Sequence, residues 1–103
     1  MFLIFGSSGF IGNHLRKTLI KNYNKNSIIT VGRKNSNLNI DLENFKNFKK
    51  IPEKNYECVY ALAGKATFNF YKKKEFQQIN SNKKIMSNII KFCKMNKVKK
   101  IIF

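Results

Sequence analysis

The sequence predicts an α/β fold, a doubly wound parallel sheet of about five strands with helices on both faces. Two observations carry the prediction. Short apolar segments of strand length alternate along the chain with stretches whose apolar residues recur at helical spacing. In addition, a glycine-rich turn lies directly between the first apolar segment and the first helical stretch. With 103 residues, there is room for one domain.

The glycine-rich turn follows Phe2–Phe5, a uniformly apolar segment that predicts a short buried strand. Gly6, Gly9 and Gly12 then fall at three-residue intervals. At such a turn Gly6 would permit a sharp bend, Gly9 would let backbone N–H groups approach a phosphate, and Gly12 would let the helix pack close to the sheet. The unpaired N–H groups of the helix N-terminus favour an anion. The turn therefore predicts a dinucleotide site in a Rossmann-type fold; the alternative is a glycine-rich turn in another α/β domain.

Apolar periodicity places the remaining elements. Ile11, Leu15 and Leu19 recur every four residues and predict a first helix that ends at residues 24–26. The later elements are strands at 27–31, 38–42, 56–64 and 98–103, and a long helix from about Glu75 after an aromatic-rich loop at 65–74. The core-facing stripe of the long helix is predicted to contain Ile79, Met86, Ile90 and Cys93, widened by Ile85, Ile89 and Phe92. We predict the strand order 3-2-1-4-5.

The pattern G-x-x-G-F-I-G-x-H-L that begins at Gly6 resembles the extended short-chain dehydrogenase/reductase family, the NAD(P)-dependent epimerases and dehydratases that act largely on nucleotide sugars. The resemblance covers essentially the whole chain, but only the N-terminal Rossmann part of such an enzyme. Together with the residue patterns, it implies the cofactor-binding set Gly6, Ser8, Gly9, Phe10, Ile11, Gly12, Arg33, Asp41, Leu42, Ala61, Leu62, Ala63 and Gly64.

The choice of cofactor depends on the end of the second strand. An NAD site would carry Asp or Glu there, about 20 residues after the glycines, to accept from the ribose hydroxyls. This chain has Arg33, followed by Lys34. Because arginine can bind a phosphate through paired donors, we predict NADP as the preferred cofactor and NAD as the alternative. In so basic a chain, an Arg–Lys pair is also compatible with a solvated surface.

The resemblance assigns two further parts of the site. Asp41 and Leu42 match the family's acid and apolar residue at the adenine ring, although Asp41 could equally cap the segment from Glu43. The turn Ala61–Gly64 matches the family's small residues beside the ribose and pyrophosphate; the alternative is a small-residue strand end packed on the first helix. Asn80 falls where the family carries a structural, water-relaying Asn.

The resemblance also implies a catalytic Ser or Thr, and a Tyr with a Lys four positions later, beyond the fifth strand. None of the tyrosines has that partner: Tyr23, Tyr56, Tyr60 and Tyr71 are followed at that spacing by Ser27, Tyr60, Gly64 and Glu75. We therefore predict no catalytic residue and no catalysis by these 103 residues alone. A small-molecule, nucleotide-sugar-like substrate would require the missing part of such an enzyme, and a second chain could pair with the exposed edge of the sheet.

The net charge of +16 comes from 21 Lys and Arg against 5 Asp and Glu. Because the cations are spread along the whole chain, we expect no dedicated nucleic-acid surface; a basic nucleic-acid-binding protein and a stand-alone nucleotide-binding or interaction module remain the alternatives. The absence of a signal peptide or membrane span predicts a cytoplasmic protein. Cys58 and Cys93 are expected to be buried thiols without a metal, and His14 to pack or cap.

Overall fold

A computed structural model of the chain describes residues 1–64 and 72–103, with side chains in the second part from residue 76 onward. The segment 65–71, including most of the predicted aromatic-rich loop, lies outside the described residues. The strands are β1 (Phe2–Phe5), β2 (Ile28–Gly32), β3 (Leu38–Asn39), β4 (Cys58–Ala61) and β5 (Ile101–Ile102). The helices are α1 (Phe10–Asn22) and α2 (Lys72–Met95), with 3-10 turns at Lys25–Ser27 and Phe45–Lys50.

The five strands form one parallel sheet in the order β3-β2-β1-β4-β5, which confirms the predicted fold class and order. The central strand β1 sets the register. Phe2 pairs with both Ile28 and Cys58, and Phe5 with both Val31 and Ala61. Since all three strands begin and end level with one another, the turns that follow them meet at a single edge of the sheet.

The two helices cover opposite faces of the sheet. Alternate residues of β1 point to opposite sides, so that Leu3 and Phe5 pack towards α2 while Ile4 packs towards Leu19 of α1. All three strand residues are fully buried, and removal of each from water contributes roughly 1.5–3 kcal/mol. The two layers therefore hold β1 from both sides and fix the position of the glycine-rich turn.

The inner face of α2 differs from the predicted stripe. Ile85, Ile89, Phe92 and Cys93 are buried against the sheet, whereas Ile79 is 49% exposed. The helix also begins at Lys72, three residues before the expected start. Two residues beyond its last residue, Met95, the chain turns at Lys97, whose φ of 52° is left-handed, and the N–H of Val98 donates to the Cys93 carbonyl.

Strand β3 has two residues where five were predicted. The five residues 33–37 that precede it form a tight hook, which we call the β2–β3 hook. Within it, Asn37 takes the place of strand pairing, because its Oδ1 accepts from both the N–H and the Oγ1 of Thr30 at 2.9 and 3.0 Å. The Asn37 N–H in turn donates to Thr30 Oγ1 at 2.8 Å. A side chain thus satisfies the edge of β2 at Thr30, just before β3 begins to pair. β3 itself is short because its partner β2 ends at Gly32: the Ile40 N–H still donates to the Gly32 carbonyl at 2.9 Å, and the chain after Gly32 turns away into the hook.

The two cysteines are free and buried, as the sequence predicted. His14 packs edge-on against Phe10, with ring centroids 4.7 Å apart. In the described parts of the chain, no helix has the length and apolarity needed to cross a membrane. The edge strand β5 leaves Ile102 and Phe103 partly exposed, and a second chain at this edge stays a prediction.

Candidate functional site

A cleft of about 500 Å³ opens at the carboxyl edge of the sheet, above the ends of β1, β2 and β4. Its volume lies within the range of small-molecule and cofactor sites. In open α/β sheets this edge, at the point where the strand order reverses, is where ligands bind. The lining residues are Gly6, Ser8, Gly9, Gly32, Arg33, Lys34, Asp41, Leu42, Glu43, Leu62, Ala63, Gly64 and Ile85.

Backbone hydrogen bonds join the turns that form the cleft. The N–H of Gly6 donates to the carbonyl of Val31 at 2.8 Å, and the N–H of Leu62 donates to the carbonyl of Phe5 at 2.9 Å. These bonds continue the ladders of the sheet one residue past the strand ends. The floor of the cleft is therefore an extension of the sheet, held by the same kind of backbone hydrogen bonds as the strands.

Two of the three glycines in the first turn are required by the packing of the protein itself. Gly6 has a left-handed φ of 88°, and a Cβ there would come within 2.6 Å of the Ala63 backbone nitrogen. A Cβ on Gly12 would overlap the carbonyl oxygen of Gly6. Gly12 therefore allows α1 to pack closely against the backbone of Gly6 in the glycine-rich turn. The sequence had suggested close packing of the helix on the sheet.

Gly9 differs from the other two glycines because no atom in the described part of the chain requires glycine at this position. A Cβ there would meet only the Gly6 carbonyl oxygen, at an ordinary 3.6 Å, and its φ of −75° suits any residue. Gly9 lines the cleft and caps α1 without a side-chain hydrogen bond, and the first turn of the helix contains no acidic residue. The N–H groups of that turn have no intrahelical acceptor. This arrangement suits an anion that approaches the backbone closely.

The β2–β3 hook forms the wall of the cleft that carries positive charge. Arg33 and Lys34 are exposed and both line the cleft. The hook is tied to the glycine-rich turn because Ser7 Oγ and Ser36 Oγ are hydrogen-bonded at 2.9 Å. A Cβ on Gly32 would lie 2.7 Å from Ser36 Oγ, so glycine at the end of β2 permits this contact.

Asp41 and Leu42 form the next wall. Asp41 Oδ1 accepts from the Glu43 N–H at 3.0 Å, so it caps a turn, whereas the following 3-10 turn is capped by Asn44. Leu42 is buried in the core and shows only an edge to the cleft. Asn88 of α2 secures this wall, because its Nδ2 donates to the carbonyls of Leu42 and Glu43 at 2.9 and 3.0 Å.

The turn after β4 supplies small residues opposite the glycines. Leu62, Ala63 and Gly64 line the cleft, and the backbone of Ala63 lies against Gly6. Ala61 does not line the cleft. It pairs with Phe5 in the sheet, faces the α2 side and is 4% exposed within the core, so a contact of Ala61 with a cofactor stays a prediction.

Three more predicted residues do not line the cleft with their side chains. Phe10 and Ile11 are 81% and 68% exposed at the start of α1, and Gly12 is buried beneath it. Only their backbone groups belong to the turn that faces the cleft. Ser8 lies where it was predicted, whereas Asn80 is exposed on α2 and does not line the cleft.

Four lining residues were not among the predicted set: Gly32, Lys34, Glu43 and Ile85. Gly32 and Lys34 flank the predicted Arg33, and their position at the end of the second strand could have indicated that they line the cleft. Ile85 was expected only as a core residue of the long helix, and no sequence pattern shows that it reaches the cleft.

The described residues offer the cleft charges of both signs but little acid–base chemistry. Its lining includes Arg33 and Lys34 after β2, and Asp41 and Glu43 after β3. Among the described residues, no group of three or more His, Cys, Asp or Glu could hold a metal ion. Burial raises the pKa of the Cys93 thiol from 9.0 to about 11, so this core cysteine is a poor nucleophile near neutral pH.

Solved structures with a similar fold include epimerases and dehydrogenases. UDP-glucose 4-epimerase from Bifidobacterium longum in complex with NAD+ and UDP is 24% identical, with a TM-score of 0.82, over 99% of this chain and 36% of that one. The GalE-like L-threonine dehydrogenase from Cupriavidus necator, in its holo form, is 19% identical, with a TM-score of 0.80, over 99% of this chain and 35% of that one. A monomeric L-threonine 3-dehydrogenase from a metagenome is 24% identical, with a TM-score of 0.78, over 97% of this chain and 34% of that one.

These likenesses show the fold, and this chain spans about one third of the length of each of those proteins. No curated protein matches the sequence. The sequence itself matches a family model, described as the NAD dependent epimerase/dehydratase family, over residues 2–103. Because the match extends over almost the whole chain, this protein belongs to the NAD dependent epimerase/dehydratase family, in which the cofactor class is a nicotinamide dinucleotide.

Proposed function

We propose that the cleft binds a nicotinamide dinucleotide and prefers NADP(H) to NAD(H). One observation carries the binding proposal: Gly9 lines the cleft at the start of α1, yet no atom of the described residues requires glycine there. A position kept free of a side chain, beside the unpaired N–H groups of a helix, is suited to a pyrophosphate. The 500 Å³ cleft accommodates part of an extended ligand, and the rest would lie along its open side.

Each wall of the cleft has a proposed partner in the cofactor. The backbone from Gly6 to Gly12, including the N–H groups of Phe10 and Ile11, would face the pyrophosphate. Asp41 and the exposed edge of Leu42 would contact adenine, and the turn Leu62–Gly64 would leave room for a ribose. These roles rest on family membership together with the placement of the residues around one cleft.

The preference for NADP rests on Arg33. It lines the cleft at the end of β2, where an NAD-selective site carries an acid that accepts from the ribose hydroxyls. A guanidinium and the neighbouring ammonium of Lys34 would instead favour the negatively charged 2′-phosphate. Asp41 and Glu43 lie on the wall that follows β3, so they do not replace an acid at the end of β2.

We further propose that the chain serves the cofactor side of an epimerase, dehydratase or reductase that acts on a nucleotide sugar or a similar small molecule. The nicotinamide, when bound, would accept or donate the hydride. The contribution of this chain would be to hold and orient the cofactor at the edge of the sheet. The substrate class is supported by the solved epimerase of similar fold, which holds UDP besides NAD+.

Calorimetric titration of NADP+ and NAD+ into the folded chain tests the proposal. We expect NADP+ to bind more tightly, and Arg33→Ala to weaken NADP+ at least about tenfold while changing NAD+ affinity little, since a hydrogen bond to a charged group contributes roughly 1.5–3 kcal/mol. Lys17→Ala, which removes an exposed charge of α1 outside the cleft, is the matched control. Tighter binding of NAD+ would overturn the NADP preference, and binding of neither dinucleotide would overturn the proposed function.

A further inference from the structure

A second cavity, of about 250 Å³, lies between α1 and β2 on the α1 face of the sheet. We call it the α1–β2 cavity. It is bounded by Arg16 and Ile20 of α1, Lys25 of the following 3-10 turn, Thr30 of β2 and Asn37 of the hook. None of these residues lines the dinucleotide cleft. The cavity is therefore a separate site on the opposite side of the β2–β3 hook.

The cavity is open because the connection between β2 and β3 is short. Parallel strands are usually joined by a crossover of a dozen or more residues, often a helix that packs on the sheet. Here the hook has only five residues, and Asn37 satisfies the edge of β2 with its side chain. No helix of the described chain other than α1 covers this part of the sheet.

The cavity is lined by two cations and by polar groups that carry no negative charge. Arg16 is half-buried and Lys25 is exposed, and both carry a positive charge at neutral pH. None of the eight lining residues is acidic. Asn37 uses its Oδ1 to accept from Thr30, and within the described residues its Nδ2 has no acceptor. A ligand there would meet a guanidinium, an ammonium and an amide donor, with no carboxylate to repel it.

From this combination we infer that the α1–β2 cavity is a binding site for a small phosphate-type oxyanion. Arginine favours tetrahedral oxyanions because its planar fork supplies paired donors, and lysine adds a point charge. The cavity volume of about 250 Å³ is half that of the dinucleotide cleft and suits a ligand the size of phosphate or pyrophosphate.

The inference is tested by calorimetric titration of inorganic phosphate into the folded chain and four single-charge variants. Arg16→Gln and Lys25→Gln each remove a cation that lines the α1–β2 cavity. Lys17→Gln removes an exposed charge of the same helix, and Arg33→Gln removes a charge of the dinucleotide cleft. Circular dichroism of each variant checks that the fold is retained, and the two cavity variants lie on different elements.

We expect phosphate affinity to fall at least about tenfold in Arg16→Gln and Lys25→Gln, and to change less than about twofold in Lys17→Gln. Arg33→Gln reports any additional phosphate held in the dinucleotide cleft. Equal losses in all four variants would show general attraction to a basic protein and would overturn the inference. A loss confined to Arg33→Gln would place the phosphate in the dinucleotide cleft, and no binding at millimolar phosphate would exclude the site. A parallel titration of glycerol phosphate distinguishes free phosphate from a phosphate ester as the better ligand.

Discussion

Gly9→Ala and Gly12→Ala change positions only three residues apart, but they should affect different properties of the protein. Gly12→Ala should lower its stability, and Gly9→Ala should lower its affinity for NADP+. A methyl on Gly12 would overlap the Gly6 carbonyl, so α1 must move away from backbone that is fixed by the sheet. Overpacking typically costs about 1–3 kcal/mol, and here the obstacle is backbone, which places the cost at or above the upper value. The better helix propensity of Ala returns about 1 kcal/mol. The net loss is therefore about 2 kcal/mol or more.

The corresponding loss for Gly9→Ala is small. The new methyl meets only the Gly6 carbonyl oxygen at 3.6 Å, and the extended backbone at this position suits alanine. A weaker helix cap is offset by the reduced freedom of the unfolded chain, so we expect the stability to change by less than about 0.5 kcal/mol. The methyl would nevertheless occupy space in the cleft, and we expect NADP+ affinity to fall at least about tenfold.

Thermal unfolding followed by circular dichroism, together with NADP+ titration of each variant, measures both effects. For a domain of this size, about 1 kcal/mol corresponds to roughly 4–8 °C in Tm. Gly12→Ala should therefore lower Tm by roughly 8–16 °C, and Gly9→Ala by less than about 4 °C. Equal destabilisation by the two substitutions would contradict the packing argument. Unchanged NADP+ affinity in a stable Gly9→Ala protein would contradict the close approach of the cofactor.

Three further predictions concern the elements around the cleft. Asn88→Ala removes the donor to the carbonyls of Leu42 and Glu43, and should lower the free energy of unfolding by about 1–2 kcal/mol, as measured by urea titration. Ser87→Ala, at the exposed neighbouring position, is the control, and an equal loss of stability in the two variants would contradict the role of Asn88. Lys97→Gly relieves a left-handed residue at the end of α2 and should raise stability by about 0.5–1 kcal/mol, visible as a higher urea midpoint; a lower midpoint would oppose this. The pKa of the Cys93 thiol is raised by burial from 9.0 to about 11, so the folded state favours the protonated thiol. Stability should therefore fall as pH rises from about 9 towards 11, and Cys93→Ala should reduce that slope; an unchanged slope in Cys93→Ala would show that Cys93 is not its cause.

The parts of the fold that the sequence predicted well depend on apolar strands and glycine spacing. Phe2–Phe5 is uniformly apolar because it is the central strand, buried on both faces, and the glycines after it mark the turn at its end. The burial of Ala61 in the core could have been predicted from strand alternation. Ala61 follows the core residue Val59 by two positions, so both face the α2 side.

Other features depended on where neighbouring elements end and on contacts between distant residues, which no local pattern reveals. β3 was predicted too long because its partner β2 ends at Gly32, where the chain turns into the hook, so the residues after Asn39 have no strand residues to pair with. The contact of Asn88 with the wall at Leu42 joins residues 46 positions apart. Ile79 is likewise exposed, although its spacing from the other apolar residues of α2 predicted that it would face the core.

The central claim is that the cleft at the carboxyl edge of the sheet holds the dinucleotide. Amide ¹H–¹⁵N spectra of the labelled chain, recorded while NADP+ is added, test it residue by residue. We expect the largest shifts at the turn Gly6–Gly12, at Gly32–Lys34, at Asp41–Glu43 and at Leu62–Gly64, with little change at the amino edge of the sheet near Glu57. Shifts centred away from these four turns, or none at saturating NADP+, would contradict the account.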